Sequence, residues 1–186
     1  RYAPAMSTFL VECDAATWQA YGFEHKTIEQ SQAVCEQVFA ATLDGHALVS
    51  NKSVWRNFPW IWNENWSHGN MVLIGDALHS AHFSIGSGTR LAIEDAIALT
   101  KALEAESEIP AALARYQAER KPIVQKLVTA ARTSADWYEH FPEHMKLDLM
   151  DFAYSYITRS GRIDDARLRA MSPQFMARFE ASRRSA

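Results

Sequence analysis

The sequence predicts an α+β fold dominated by helices, and three observations carry that prediction. Phe9, Val11 and Cys13 alternate with Leu10 and Glu12, and Val54, Arg56 and Phe58 with Ser53, Trp55 and Asn57, the period of two of a strand. Met71-Val72-Leu73-Ile74 is a short apolar run bounded by turn residues, the pattern of a strand covered on both faces. From Thr89 to near the end of the chain the apolar residues recur with helical spacing.

The elements follow in order. Phe9, Val11 and Cys13 form the first strand pattern, and Asp14 is a candidate N-cap for a short helix ending before Gly22, a residue suited to the left-handed position beyond a helix end. Thr27 and Gln30 have capping-box spacing, and Ile28, Cys35, Val38, Phe39 and Leu43 then share one face of a helix stopped near Gly45. Val54, Arg56 and Phe58 suggest a second strand, closed by Pro59 and followed by a connection rich in tryptophan. Leu91, Ile93, Ala96, Ile97, Leu99 and Leu103 cover most of the circumference of a helix, which predicts its burial. Pro110 opens a second long helix with Leu113, Tyr116, Ile123, Leu127 and Ala131 along one side, kinked or interrupted at Pro122. Shorter helices are expected from 148 to about 159, with Gly161 beyond, and again from Ser172-Pro173.

With 186 residues, 48% hydrophobic and 22% charged, the chain can bury one sizeable core or two small ones. A net charge of -3 with scattered Lys and Arg argues against a nucleic-acid partner. No apolar run approaches the roughly 20 residues that span a bilayer. Arg1-Tyr2-Ala3-Pro4 lacks the apolar core of a signal peptide, so the expectation is a cytoplasmic protein without membrane contact. Cys13 and Cys35 stand far apart and are expected to be reduced thiols. The chain starts with Arg rather than Met, and its first strand pattern has nothing before it to pair with, so a fragment is expected.

The chemistry concentrates in Gly75-Asp76-Ala77-Leu78-His79-Ser80-Ala81-His82-Phe83-Ser84-Ile85-Gly86-Ser87-Gly88-Thr89-Arg90, followed by Glu94-Asp95-Ala96. A strand end presents the Asp76 carboxylate, which accepts hydrogen bonds from ligand hydroxyls. Gly86 and Gly88 let the backbone approach a flat ligand and aim unpaired helix N–H groups at it, where the dipole favours negative charge. A dinucleotide fingerprint is rejected: the third glycine position falls on Leu91, and the loop is too long for a tight strand-to-helix turn.

This segment resembles the second flavin motif of the group A flavoprotein monooxygenases, the para-hydroxybenzoate hydroxylase-like family, which reads Gly-Asp-Ala-x-His, then Pro, then Gly-x-Gly and Asp-Ala. The resemblance implies that Asp76 binds the ribityl chain of FAD. It also implies that Gly75, Gly86, Ser87, Gly88 and Thr89 belong to the cofactor site, the last four against the N1 and O2 edge of the flavin ring. Phe83 stands where most members have proline, and His82 and Phe83 are candidate lining of the substrate face.

His-Phe-Ser-Ile-Gly-Ser-Gly-Thr is similar to the branch with salicylyl-CoA 5-hydroxylase, 2-aminobenzoyl-CoA monooxygenase and the violacein-pathway tryptophan hydroxylase. Ser7-Thr8-Phe9-Leu10-Val11-Glu12, Asn51-Lys52-Ser53-Val54-Trp55 and Thr158-Arg159-Ser160-Gly161-Arg162-Ile163 extend the likeness. It implies a C-terminal portion of that FAD-binding fold, with 1–66 a remnant of the substrate-binding β/α region, 67–132 the C-terminal part of the FAD-binding domain and 133–186 a C-terminal helical segment. The implied activity is hydroxylation of an aromatic ring, carried as a CoA thioester, with FAD, NAD(P)H and dioxygen. The implied partner is the N-terminal half of the same polypeptide, without which the piece is inactive. Dimerisation or domain exchange is compatible with strands left without neighbours.

Plainer readings stand beside these. His79 and His82 lack a third ligand at metal spacing and read as loop histidines, so no metal is expected. Glu94 and Asp95 gain from the helix dipole without any catalytic role. Trp55, Trp60, Trp62 and Trp66 read as packing. Arg159 and Arg162 read as a solvated helix end, with a CoA phosphate as the functional alternative. A non-catalytic helical binding or assembly module is the rival from another class. A hydrolase using Ser80 or Ser84 lacks a nucleophile elbow or triad.

Overall fold

The computed structural model describes residues 3–50 and 53–184, which fall into two compact units, Arg1–Asn57 and Phe58–Ala186. The fold is α+β and predominantly helical, and its sheet has two short strands. Asn51 and Lys52 of the central resemblance segment lie outside the described residues, as do Arg1 and Tyr2.

In the first unit, α1 (Ala15–Ala20) begins where the Asp14 carboxylate accepts the Thr17 N–H at 2.6 Å. It is followed by Gly22 in the left-handed conformation and a 3-10 turn, Phe23–His25. The capping box of α2 (Ile28–Val38) forms in both directions: Thr27 accepts from the Gln30 N–H at 3.2 Å, and the Gln30 side chain accepts from the Thr27 N–H at 2.9 Å. The expected run to Gly45 is broken at Phe39, after which α3 (Ala40–Leu43) adds a single turn and Asp44 takes the left-handed position. The following loop is tied back because Glu36 accepts the Leu48 N–H at 2.8 Å and Gln32 donates to the Leu48 carbonyl at 2.7 Å.

Neither alternating segment becomes a strand. Residues 7–14 and 53–58 pair with nothing in a ladder among the described residues, and Leu10 stays 67% exposed. Alternation sets up a half-buried strand only when a neighbouring strand takes its N–H and C=O groups. Phe9 instead packs edge-on against Phe39, and Phe23 packs on Trp55.

In the second unit, β1 (Ser67–His68) and β2 (Met71–Val72) form a hairpin across Gly69-Asn70, with Gly69 at φ +60°. Glycine opening a two-residue turn is a hairpin signal in its own right. The run 71–74 is therefore not a strand covered on both faces: Met71 is 64% and Ile74 40% exposed.

Helix α4 (Gly88–Ala105) packs on α5 (Ile109–Glu139) around a core of Trp66, Leu78, Leu91, Tyr116, Val124 and Ala131. Burial of α4 is one-sided, with Ile93 and Ile97 about half exposed, so its all-round apolar pattern exceeds what this chain covers. Helix α5 runs through Pro122 without interruption. Its buried stripe is Leu113, Tyr116, Arg120, Val124, Val128 and Ala131, so Ile123 faces outward and a charged residue occupies the core face.

After the short α6 (Phe141–His144) come α7 (Leu149–Thr158), α8 (Asp165–Met171) and α9 (Pro173–Arg184). Asp148 and Asp164 cap α7 and α8 as N-cap side chains should. Leu168, Met176 and Phe179 form a second core with Tyr154 stacked on Phe179. Among the described residues no helix is long and apolar enough to cross a membrane.

Candidate flavin site

Asp76 sits in a 3-10 turn, Gly75–Ala77, immediately after the hairpin. Its side chain is exposed, and among the described residues nothing donates to it. The turn is held from beneath. Gly75 adopts φ +59° and lies so close to α4 that an added Cβ would stand 3.1 Å from the Ala92 Cβ. The Gly75 N–H donates to Asp95 Oδ2 at 3.1 Å.

Asp95 is fully buried. Its Oδ2 also accepts from His79 Nε2 at 2.7 Å, and its Oδ1 accepts from Arg120 Nε at 2.8 Å. Arg120, 6% exposed, reaches through one terminal nitrogen both the Leu91 carbonyl at 3.2 Å and Glu94 at 2.9 Å. Burial pushes the Asp95 carboxyl up, but the His79, Arg120 and Gly75 donors outweigh it and hold the group below the ordinary aspartate value. The helix-dipole reading of Asp95 is thereby corrected: this carboxylate is the hub joining α4, α5 and the Asp76 turn. His79 is a loop histidine, as read from sequence, and it is a buried, hydrogen-bonded one.

Ala92 lies one turn into α4, so the Asp76 turn packs about 6 Å along the axis from the helix start at Gly88. No side chain caps that start; the Ser87 hydroxyl donates instead to the Ile85 carbonyl at 3.2 Å. Gly86, at φ +60°, and Gly88 both have open space where a Cβ would stand, and Gly86 and Thr89 are exposed while Ser87 is buried. The structure therefore brings Asp76 and the 86–89 segment to one end of one helix. It offers an exposed carboxylate, N–H groups with no side-chain cap and unobstructed backbone, which suit hydroxyl groups beside a flat, electron-accepting ring.

His82 and Phe83 part company. His82 is buried and stacked between Trp60 and Phe83, whereas Phe83 is 40% exposed in a 3-10 turn, Phe83–Ile85. The Ser80 hydroxyl is consumed by the backbone, donating to the Pro59 carbonyl and accepting from the Ile61 N–H, both at 2.8 Å. Trp66 is core; Trp60 is 40% exposed.

The sequence pattern described as the FAD binding domain matches residues 8–131. The chain belongs to the FAD binding domain family. Salicyloyl-CoA 5-hydroxylase of a Streptomyces species is 41% identical over 167 residues, covering 84% of this chain and 32% of that protein. The 3-hydroxy-4-methyl-anthranilyl-[aryl-carrier protein] 5-monooxygenase of Streptosporangium sibiricum is 43% identical over 162 residues, 87% of this chain and 42% of that protein. Protodeoxyviolaceinate monooxygenase of Chromobacterium violaceum is 38% identical over 174 residues, 93% of this chain and 44% of that protein. The chain thus spans from 32% to 44% of the length of these relatives.

Within this FAD binding domain member, sequence reasoning missed Arg120. The available signal was a charged residue four positions from Tyr116 and Val124 on the core side of α5, which calls for a buried counter-charge. The Gly75 packing yields a prediction. Gly75→Ala forces a side chain into the left-handed region and against Ala92, and costs more than Gly86→Ala, which meets only the backbone term of about 1–2 kcal/mol. Urea midpoints of the two variants measure the difference.

Proposed function

We propose that this chain forms the flavin-ring part of an FAD-dependent monooxygenase that hydroxylates an aromatic ring with NAD(P)H and dioxygen. The observation that carries the reading is an exposed Asp76 carboxylate, to which nothing donates among the described residues, in a turn whose Gly75 N–H is held by Asp95 of the same helix whose uncapped N-terminus follows Gly86-Ser87-Gly88. Asp76 accepts from ribityl hydroxyls, while the N–H groups of Gly88 and Thr89 face the ring edge where negative charge gathers on reduction. The flavin supplies the redox chemistry once bound; the protein residues orient it and stabilise that charge.

The ring substrate is proposed to be an aromatic acyl group held as a CoA thioester, such as salicylyl-CoA or 2-aminobenzoyl-CoA. Two of the relatives carry a CoA or aryl-carrier-protein thioester in their names. Phe83, and His82 behind it, line the substrate side in this reading. The same reading assigns 1–66 to a remnant of the substrate-binding β/α region, 67–132 to the C-terminal part of the FAD-binding domain and 133–186 to a C-terminal helical segment.

Asp76→Ala in the full-length polypeptide tests the proposal. Losing hydrogen bonds to a charged acceptor is worth about 1.5–3 kcal/mol, so FAD affinity is expected to fall roughly 10- to 100-fold with little change in stability. Titration of the apoprotein followed by flavin fluorescence reads it, and an unchanged dissociation constant removes the assignment.

A further inference from the structure

The turn that presents Phe83 contains no proline, and its internal hydrogen bonds are short-range, from the Gly86 N–H to the Phe83 carbonyl at 2.8 Å and from the Ser84 N–H to His82 Nδ1 at 3.3 Å. A further restraint comes from 75 residues away in sequence. Arg159, at the C-cap of α7, donates through one terminal guanidinium nitrogen to the Ser84 carbonyl at 3.1 Å. Its Nε donates to the Ser134 hydroxyl on α5 at 3.2 Å, and its other terminal nitrogen donates to the Tyr156 carbonyl at 2.7 Å. Ser134 is fully buried, and the guanidinium lies 4.2 Å over the Tyr156 ring and 5.7 Å from that of Tyr138. The arginine read from sequence as a solvated helix end is instead a three-way tie between α5, α7 and the Phe83 turn.

Three acceptors in different directions and two ring faces suit a planar fork of donors; a lysine ammonium has neither the reach nor the plane to meet them together. Above this tie, Phe83 joins Phe58 and Trp60 around the buried His82, with Phe58 edge-on to both His82 and Phe83. Phe58, Trp60 and Phe83 are each 40–45% exposed. This surface is contiguous in sequence with Gly86 and is distinct from the Asp95 hub, which holds the Asp76 turn through other residues.

We propose that Arg159 is a positioning residue: by fixing the Ser84 carbonyl it sets the orientation of Phe83 against the aromatic ring of the substrate, so that the C-terminal helices tune substrate placement rather than cofactor affinity. This rests on the flavin reading above.

The test uses the full-length, FAD-loaded enzyme with Arg159→Lys, Arg159→Ala, Phe83→Ala and the Arg159→Ala/Phe83→Ala pair. Readouts are FAD affinity, KM for the aromatic substrate, and product formed per NAD(P)H oxidised. Loss of one hydrogen bond from a charged donor corresponds to about a tenfold effect, expected in KM or in coupling for both Arg159 variants, with FAD affinity held within about threefold. The double variant is expected to be no worse than Phe83→Ala alone, because the arginine acts through that ring.

Wild-type KM and coupling in both Arg159 variants overturn the inference, as do additive effects in the pair. Loss of folding or of FAD binding in both Arg159→Lys and Arg159→Ala also overturns it, since the arginine then supports the structure at large. Failure of the flavin reading itself appears separately, as unchanged FAD affinity in Asp76→Ala.

Discussion

Asp95→Ala is expected to destabilise the chain by about 3–5 kcal/mol, the cost of removing one partner from a buried ion pair. The deletion strands more than one group. Arg120 keeps a buried guanidinium with only Glu94 and the Leu91 carbonyl, while His79 Nε2 and the Gly75 N–H lose their acceptor. Asp95→Asn keeps the shape but removes the charge, so it should fall between wild type and Asp95→Ala. Urea unfolding followed by near-ultraviolet circular dichroism reads both.

Acid adds an independent check with a definite sign. The folded-state carboxyl is held below the ordinary value of 3.8, so the ionised group stabilises the fold fully above that pH. Its contribution is lost as pH falls from there through the lower folded value. The wild-type chain should therefore lose stability more steeply below about pH 4 than Asp95→Asn, which has no proton to take up there. Parallel curves for the two proteins would show that Asp95 is not the group responsible.

Trp66→Ala should cost a similar amount, about 3–5 kcal/mol for removing a buried aromatic side chain. Trp66 is completely buried, with its ring 5.2 Å from that of Tyr116 and 6.4 Å from that of His79. Its indole N–H donates to the Asn63 carbonyl at 3.1 Å, and its backbone N–H donates to the Gln117 side chain at 2.8 Å. The cavity would open beside the Asp95 hub, so the His79 contact should loosen with it. Trp66→Phe retains most of the packing and is expected to lose much less. Equal unfolding midpoints for Trp66→Ala and wild type would contradict the assignment of this ring to the core.

The helices were legible because their signals are local. Asp14, Thr27 with Gln30, Asp148 and Pro173 mark helix starts through contacts within one turn, and each begins a helix in the structure. The strands were less legible because a ladder needs a partner. Residues 9–13 and 53–58 have the alternation and, among the described residues, no ladder partner, while Gly69-Asn70, a two-residue turn, makes the pair that does form. Pattern alone also overstated the burial of α4, since apolar residues around a whole circumference do not say how much of it any given chain covers.

Residue type and spacing by themselves determined the helical character of this protein, the glycine-flanked start of α4 and the segment that resembles a flavin motif, all properties of neighbours along the chain. Only the tertiary structure decided that Asp95 faces inward to His79, Gly75 and Arg120, and that Arg159 reaches back to Ser84. Those contacts join residues 16 to 75 positions apart, and a buried charge finds its partner through packing in three dimensions, which no local periodicity encodes.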